Sequence, residues 1–71
     1  MKITLNREMI RRKRKSMKLS QERLAEMLDI SDRHLRTIES EDVDIHVPLL
    51  YMLSQVFEAP MESFLIIETD G

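Results

Sequence analysis

One pattern of apolar and polar positions repeats three times in the first half of the chain. An apolar residue precedes a polar residue able to cap a helix, and a second apolar residue follows the cap by four positions. The sets are Leu5, Asn6 and Ile10, then Leu19, Ser20 and Leu24, then Ile30, Ser31 and Leu35. A cap flanked in this way forms a hydrophobic staple, which predicts helices over about residues 6–16, 20–28 and 31–40. Inside them Leu24, Met27 and Leu28, and then Leu35 and Ile38, recur at helical spacing, so each helix has one stripe to bury. Val47 and Pro48 open a fourth helix, because Pro is well tolerated at a first helical position. Its Leu49, Leu50, Met52, Leu53, Val56 and Phe57 make it the most apolar of the set and the expected centre of the core. Pro60 starts a short fifth helix ending near Phe64, and "FLIIET" follows as a frayed turn or an extended segment. "KITL" at the other end alternates as a strand does, which makes the two ends candidates for pairing. The expectation is a compact all-α bundle of five helices, a single domain over residues 1–71, with short terminal extended segments as the one departure.

Composition narrows the classes. Seventy-one residues support one core and leave no room for a catalytic cleft beside a separate binding module. The absence of cysteine removes disulfide frameworks and thiolate metal sites and fits a reducing interior. No apolar run approaches a membrane span, and no apolar signal core follows the first lysine. A soluble, cytoplasmic protein is expected. With one Gly and two Pro, the chain has few turns and no low-complexity segment.

The formal net charge of −2 conceals a strong asymmetry. Residues 1–38 carry all eleven basic side chains against five acidic ones, a net of +6, whereas residues 39–71 carry eight acidic and no basic ones, a net of −8. A basic half is an electrostatic footprint for phosphate, and the acidic half discourages indiscriminate adhesion. Within the basic half, "SDRHLRTIESED" places its side chains on two faces. At about 100° per residue, Leu35 and Ile38 define the buried side, and Arg33, Arg36, Thr37 and Ser40 project from the other. An arginine there can bond guanine bidentately or hold phosphate, and a threonine offers a hydroxyl to a base edge or a methyl to thymine.

Two short helices joined by a tight turn follow the helix-turn-helix plan, and "LSQERLAEMLDIS" with "HLRTIE" resembles the phage repressor and Cro family, also called the xenobiotic-response-element type. Gln21, Leu24, Ala25, Ile30, Ser31, Ile38 and Glu39 all fall at fitting positions, and the match runs from about Ile10 to Leu65. The resemblance implies a lambda-repressor-like bundle that binds double-stranded DNA. It places base readers at Asp32, Arg33 and Thr37, with Arg36 as a further candidate, and a phosphate clamp at Gln21, where a helix N-terminus favours an anion. Further phosphate contacts are expected of Arg11, in the run "RRKRK", and of Ser31 and Ser40. The resemblance also implies that Arg14 pairs with Glu39, which would make Glu39 a scaffold residue and not an acid facing DNA.

Several positions carry a plainer reading alongside. Arg33, Arg36 and the "RRKRK" run are also what an ordinary solvated face contains. Asp32 suits the helix dipole at a first turn, or accepts from cytosine N4 as a base reader. His34 lies at the edge of the buried face, where packing or an interface suits it better than catalysis, and His46 lies in an acidic loop. The methionines and Tyr51 fall at core spacing and are assigned to packing. Two departures from the family pattern stand out. Asp29 occupies a turn position commonly held by Gly, and the loop after Glu39 has Ser40 and Glu41 in place of Gly and is acidic at Glu41, Asp42 and Asp44. A helix ending without Gly must close by another route. Such acids could weaken DNA binding outside the right sites, or serve a basic protein partner.

The expected function is a sequence-specific transcriptional regulator, a repressor acting on the nucleoid as a homodimer on an inverted-repeat operator. The apolar tail Phe64, Leu65, Ile66 and Ile67 is the expected dimer surface, or else closes the monomer core. The alternative is an antitoxin or other interaction module that uses the same fold to bind a toxin or another regulator. No nucleophile–base–acid set, phosphate-binding Gly loop or metal cluster is visible, so no enzyme activity, cofactor or metal is expected.

Overall fold

The computed structural model describes residues 1–69. In chain order they form β1 (Lys2–Leu5), α1 (Arg7–Ser16), α2 (Gln21–Leu28), α3 (Asp32–Ser40), α4 (Val47–Phe57), a single 3-10 turn (Met61–Phe64) and β2 (Leu65–Glu68). The predicted caps hold in detail. Asn6 Oδ1 accepts from Met9 N at 3.1 Å, Ser20 Oγ from Arg23 N at 3.0 Å and Ser31 Oγ from His34 N at 3.0 Å. Each cap satisfies one of the amides that a helix start leaves without an internal partner. No helix among the described residues is long and apolar enough to cross a membrane.

One expectation requires correction. The fifth helix is only the 3-10 turn, so the described residues hold four α-helices, because Phe64 turns its side chain into the core and the chain straightens immediately after it. The terminal extended segments do form and pair, as their alternation suggests. β2 pairs antiparallel with β1 in the register Lys2↔Glu68, Ile3↔Ile67, Thr4↔Ile66 and Leu5↔Leu65. On the other side of β1, Leu5 N donates to Val43 O at 3.2 Å and Thr4 bridges to Asp44, so β1 lies between β2 and the segment that leaves α3.

The core gathers the staple residues with the apolar face of α4. Leu5, Ile10, Leu24, Leu35, Ile38, Leu53 and Phe64 are all fully buried. Phe64 packs on Phe57 with ring centroids 5.9 Å apart and planes tilted by 32°. Burying each such side chain contributes on the order of 1.5–3 kcal/mol, so this cluster dominates the stability of so short a chain. α4 supplies Leu49, Leu50, Leu53 and Phe57 to the core, more than any other helix, but not every apolar residue of α4 is covered. Val47 and Tyr51 lie on its outer face, where Tyr51 keeps 53% of its surface, so Tyr51 is not a packing residue. Met1 and Met17 are likewise exposed, whereas Met9, Met52 and Met61 do pack against the core.

Lacking glycine, three helix ends close with other residues in the left-handed region: Lys18 at φ 58°, Asp29 at φ 59° and Glu58 at φ 50°. Asp29 thus adopts the conformation expected at that turn, and its short polar side chain tolerates it better than most. Glu58 gains no such relief. Glu58→Gly is expected to raise the unfolding free energy by about 1 kcal/mol. Phe64→Ala should lower it by about 3–5 kcal/mol, enough to unfold much of the population at room temperature. Urea titration followed by circular dichroism reads both, and an unchanged midpoint for either variant would contradict the packing or the strain assigned here.

Candidate nucleic-acid interface

The position of α3 is set from behind by an ion pair. Arg14 Nε donates to Glu39 Oε2 at 2.9 Å and Arg14 Nη2 to Glu39 Oε1 at 3.1 Å, a fork that engages both carboxylate oxygens. A third bond runs from Arg14 Nη1 to Leu19 O at 3.0 Å, so the same guanidinium also holds the loop between α1 and α2. The Glu39 side chain is 3% exposed and that of Arg14 12%. Glu39 therefore turns inward beside Leu35 and Ile38, and every backbone turn of α3 presents its remaining positions outward.

Those positions are Asp32, Arg33, His34, Arg36, Thr37 and Ser40. Arg33, Arg36 and Ser40 are exposed, and Asp32 and Thr37 are half-buried. Among the described residues neither Arg33 nor Arg36 has a carboxylate within ion-pair distance. Thr37 Oγ1 donates to Arg33 O at 3.1 Å, which leaves its lone pairs to accept from a base and its methyl to pack on one. Ser40 Oγ donates to Arg36 O at 2.7 Å, so its hydroxyl proton is engaged and would have to leave that bond to reach a phosphate.

The other phosphate candidates differ in readiness. Ser31 Oγ accepts the cap bond, and its own proton remains available to donate outward. Gln21 is half-buried and places Nε2 3.3 Å from Glu39 Oε1, which extends the ion pair and leaves the second amide hydrogen for an anion. Arg11 is exposed on α1 together with Arg12 and Lys15, clear of the ion pairs present among the described residues. His34 is exposed rather than packed, at the rim of a shallow apolar hollow shared with His46, Pro48 and Met52. Of the four tail residues expected at a dimer surface, Phe64 is 0% exposed and offers nothing to a partner, Leu65 and Ile66 are half-buried, and Ile67 is exposed.

Arg7 is the residue that pattern reading missed. Its Nη1 donates to Ser40 O at 2.7 Å, capping the C-terminus of α3, and its Nε lies 3.9 Å from Asp42 Oδ1. A cation at a helix C-terminus completes an orphan carbonyl and complements the dipole. With that cap in place α3 needs no glycine. Glu41 leaves it in extended conformation at φ −132°, and the chain runs directly to the bonds with β1. In that stretch Val43 and Ile45 pack against the core while Glu41, Asp42 and Asp44 stay exposed. Only the position of Arg7 at the start of a helix aimed toward the end of α3 reveals this role, and that aim is tertiary.

A family model described as helix-turn-helix matches residues 10–64, a span that contains most of α1, all of α2 to α4 and the ion pair. No curated protein matches the chain. The ion pair has a direct consequence. Glu39→Ala leaves the Arg14 guanidinium buried without its partner, which typically costs about 3–5 kcal/mol. DNA binding is expected to disappear together with the folded state, and a mutant that melts as the parent does would reject the scaffold role of Glu39.

Proposed function

We propose a function from one premise: the chain belongs to the helix-turn-helix family of the phage repressor and Cro, or xenobiotic-response-element, type. It is a DNA-binding transcription regulator, and its domain is regulatory in kind, not enzymatic. Our narrower reading is a repressor that acts in the cytoplasm, on the nucleoid, as a homodimer on an inverted-repeat operator. The observation that carries it is the two-sidedness of α3, locked inward through Leu35, Ile38 and Glu39 while Arg33 and Arg36 stand outward with no carboxylate partner among the described residues.

In this reading α3 enters the major groove. Arg33 and Arg36 reach guanine edges or phosphate, Thr37 contacts a base through its free lone pairs or methyl, and Asp32 either stabilises the helix start or accepts from a cytosine amine. Gln21, Ser31 and Arg11 hold phosphates on the flanks, and Ser40 joins them if its bond to Arg36 yields. One α3 spans only a few base pairs. Two copies on half-sites about 34 Å apart, one turn of the duplex, double the sequence read. Occupying the operator then suffices to repress.

A second reading draws on the exposed Glu41, Asp42 and Asp44 beside the end of α3. Acids so near the groove repel phosphate, and they suit a basic protein partner such as a toxin, which an antitoxin would bind while controlling its own operon. Selection of bound duplexes from a random pool at about 0.15 M salt separates the two, because nonspecific binding falls steeply there while specific binding persists. A palindromic consensus is expected. Arg33→Ala should lose preference at one position of each half-site, a discrimination of about 1–3 kcal/mol. A folded protein that enriches no sequence would instead favour the protein-partner reading.

A further inference from the structure

The sheet that closes the fold has one edge covered and the other open. Leu5 N points away from β2 to Val43 O, whereas Asn6 N points the opposite way to Phe64 O at 2.8 Å. Backbone groups of successive strand residues alternate between neighbours. In the observed register the even-numbered residues of β1 and β2 therefore face each other, and Leu65 and Ile67 turn their backbone polar groups to the far edge. Leu65 N is already bonded to Glu62 O at the end of the 3-10 turn. The carbonyl of Leu65 and both groups of Ile67 find no partner among the described residues. Proteins commonly guard such an edge with Lys, Pro or a bulge, and "LIIE" has none of these.

We propose that this edge is the contact between two copies of the chain, with β2 pairing antiparallel to β2 of the second copy about a two-fold axis at Ile67. The inference rests on the homodimer reading and assigns its surface. A two-fold normal to the sheet keeps every side chain on its own face, so the strands can centre on Ile66 or on Ile67. Centring on Ile66 would require Leu65 N, which is occupied. Centring on Ile67 lets the two Ile67 residues exchange both N–H···O bonds and brings Thr69 N to Leu65 O of the other copy.

Side chains favour the same register. Ile3 and Ile67 are cross-strand neighbours, 37% and 56% exposed, on the face that Leu5 and Leu65 share with the core. The pairing aligns Ile3 and Ile67 with Ile67 and Ile3 of the second copy in one apolar row. Charge is compatible as well. Glu68 stands beside Lys2 in its own sheet and opposite Ile66 of the second copy, so among the described residues of the strand no carboxylate meets another.

The sheet also connects this edge to the reading helices. Across the dimer the order becomes Val43–Asp44, β1, β2, then the same strands reversed. Five strand spacings of about 4.8 Å place the two Val43–Asp44 segments about 24 Å apart. Each segment follows an α3 of nine residues after Glu41 and Asp42, so α3 helices directed outward would have midpoints more than about 24 Å apart, which admits a half-site spacing of about 34 Å. Strands of four residues bury little surface, so the free dimer is weak, and adjacent half-sites strengthen it by raising the effective concentration.

Sedimentation equilibrium of the parent chain and Ile67→Lys, with and without an inverted-repeat duplex, tests the assignment. The variant should melt as the parent does and raise the dimer dissociation constant at least about tenfold. The sequence has no cysteine, so Ile67→Cys introduces a sole thiol. On oxidation it should give a linked dimer that still binds the duplex, whereas Met17→Cys, exposed just after α1, should not link. If Ile67→Lys dimerises as the parent does, or Ile67→Cys fails to link, the dimer uses another face and only the strand assignment falls. If the parent stays monomeric even on the duplex, the homodimer reading falls with it.

Discussion

The arrangement of this small fold turns on one guanidinium. Arg14 reaches from α1 to both oxygens of Glu39 on α3 and to the carbonyl of Leu19 in the loop before α2, so a single side chain ties α1, α3 and the approach to α2 together. The pair is nearly dry, and in such surroundings its attraction is strong while the loss of either member is costly. Gln21 adds a fourth contact through Glu39. The acid at the end of α3 is thereby turned inward, and the rotation of α3 about its own axis is set. That rotation decides which side chains face out.

A second constraint acts at the far end of α3. Arg7 caps the Ser40 carbonyl, and the chain beyond runs extended to bonds with β1. β1 is therefore a central strand, held by the Val43–Asp44 segment on one side and by β2 on the other. Phe64, seated against Phe57, anchors β2 in this position. The two strands thus brace α3, although neither belongs to it.

The electrostatic layout follows from this frame. Basic side chains on α1 and on the outer face of α3 stay exposed, while the acids of the 41–44 loop project beside them because Val43 and Ile45 take the inward positions. Charges so close lie within a Debye length at physiological salt, so the acids weaken the general pull on phosphate near the end of α3. In the proposed reading, close base contacts by Arg33 and Arg36 then carry a larger share of binding, which favours selectivity over raw affinity.

By itself, the sequence determined whatever depends on neighbours within about one helical turn. The three staples, their caps, the proline that opens α4 and the left-handed Asp29 were all legible because cap and partner lie three or four residues apart. The buried side of α3 was legible for the same reason, and so was its membership of a known pattern. Tertiary structure alone decided what depends on residues distant in the chain. Tyr51 shares the spacing of core residues yet stays exposed, since periodicity marks a face and not what covers it. Phe64 reads like its apolar neighbours but enters the core at the end of the 3-10 turn, whereas Ile67 stays exposed on a strand whose register on β1 joins residues sixty or more positions apart. The Arg7 cap, which explains how α3 ends without glycine, likewise spans thirty-three positions. No local pattern encodes such a contact, since it exists only once the helices have packed.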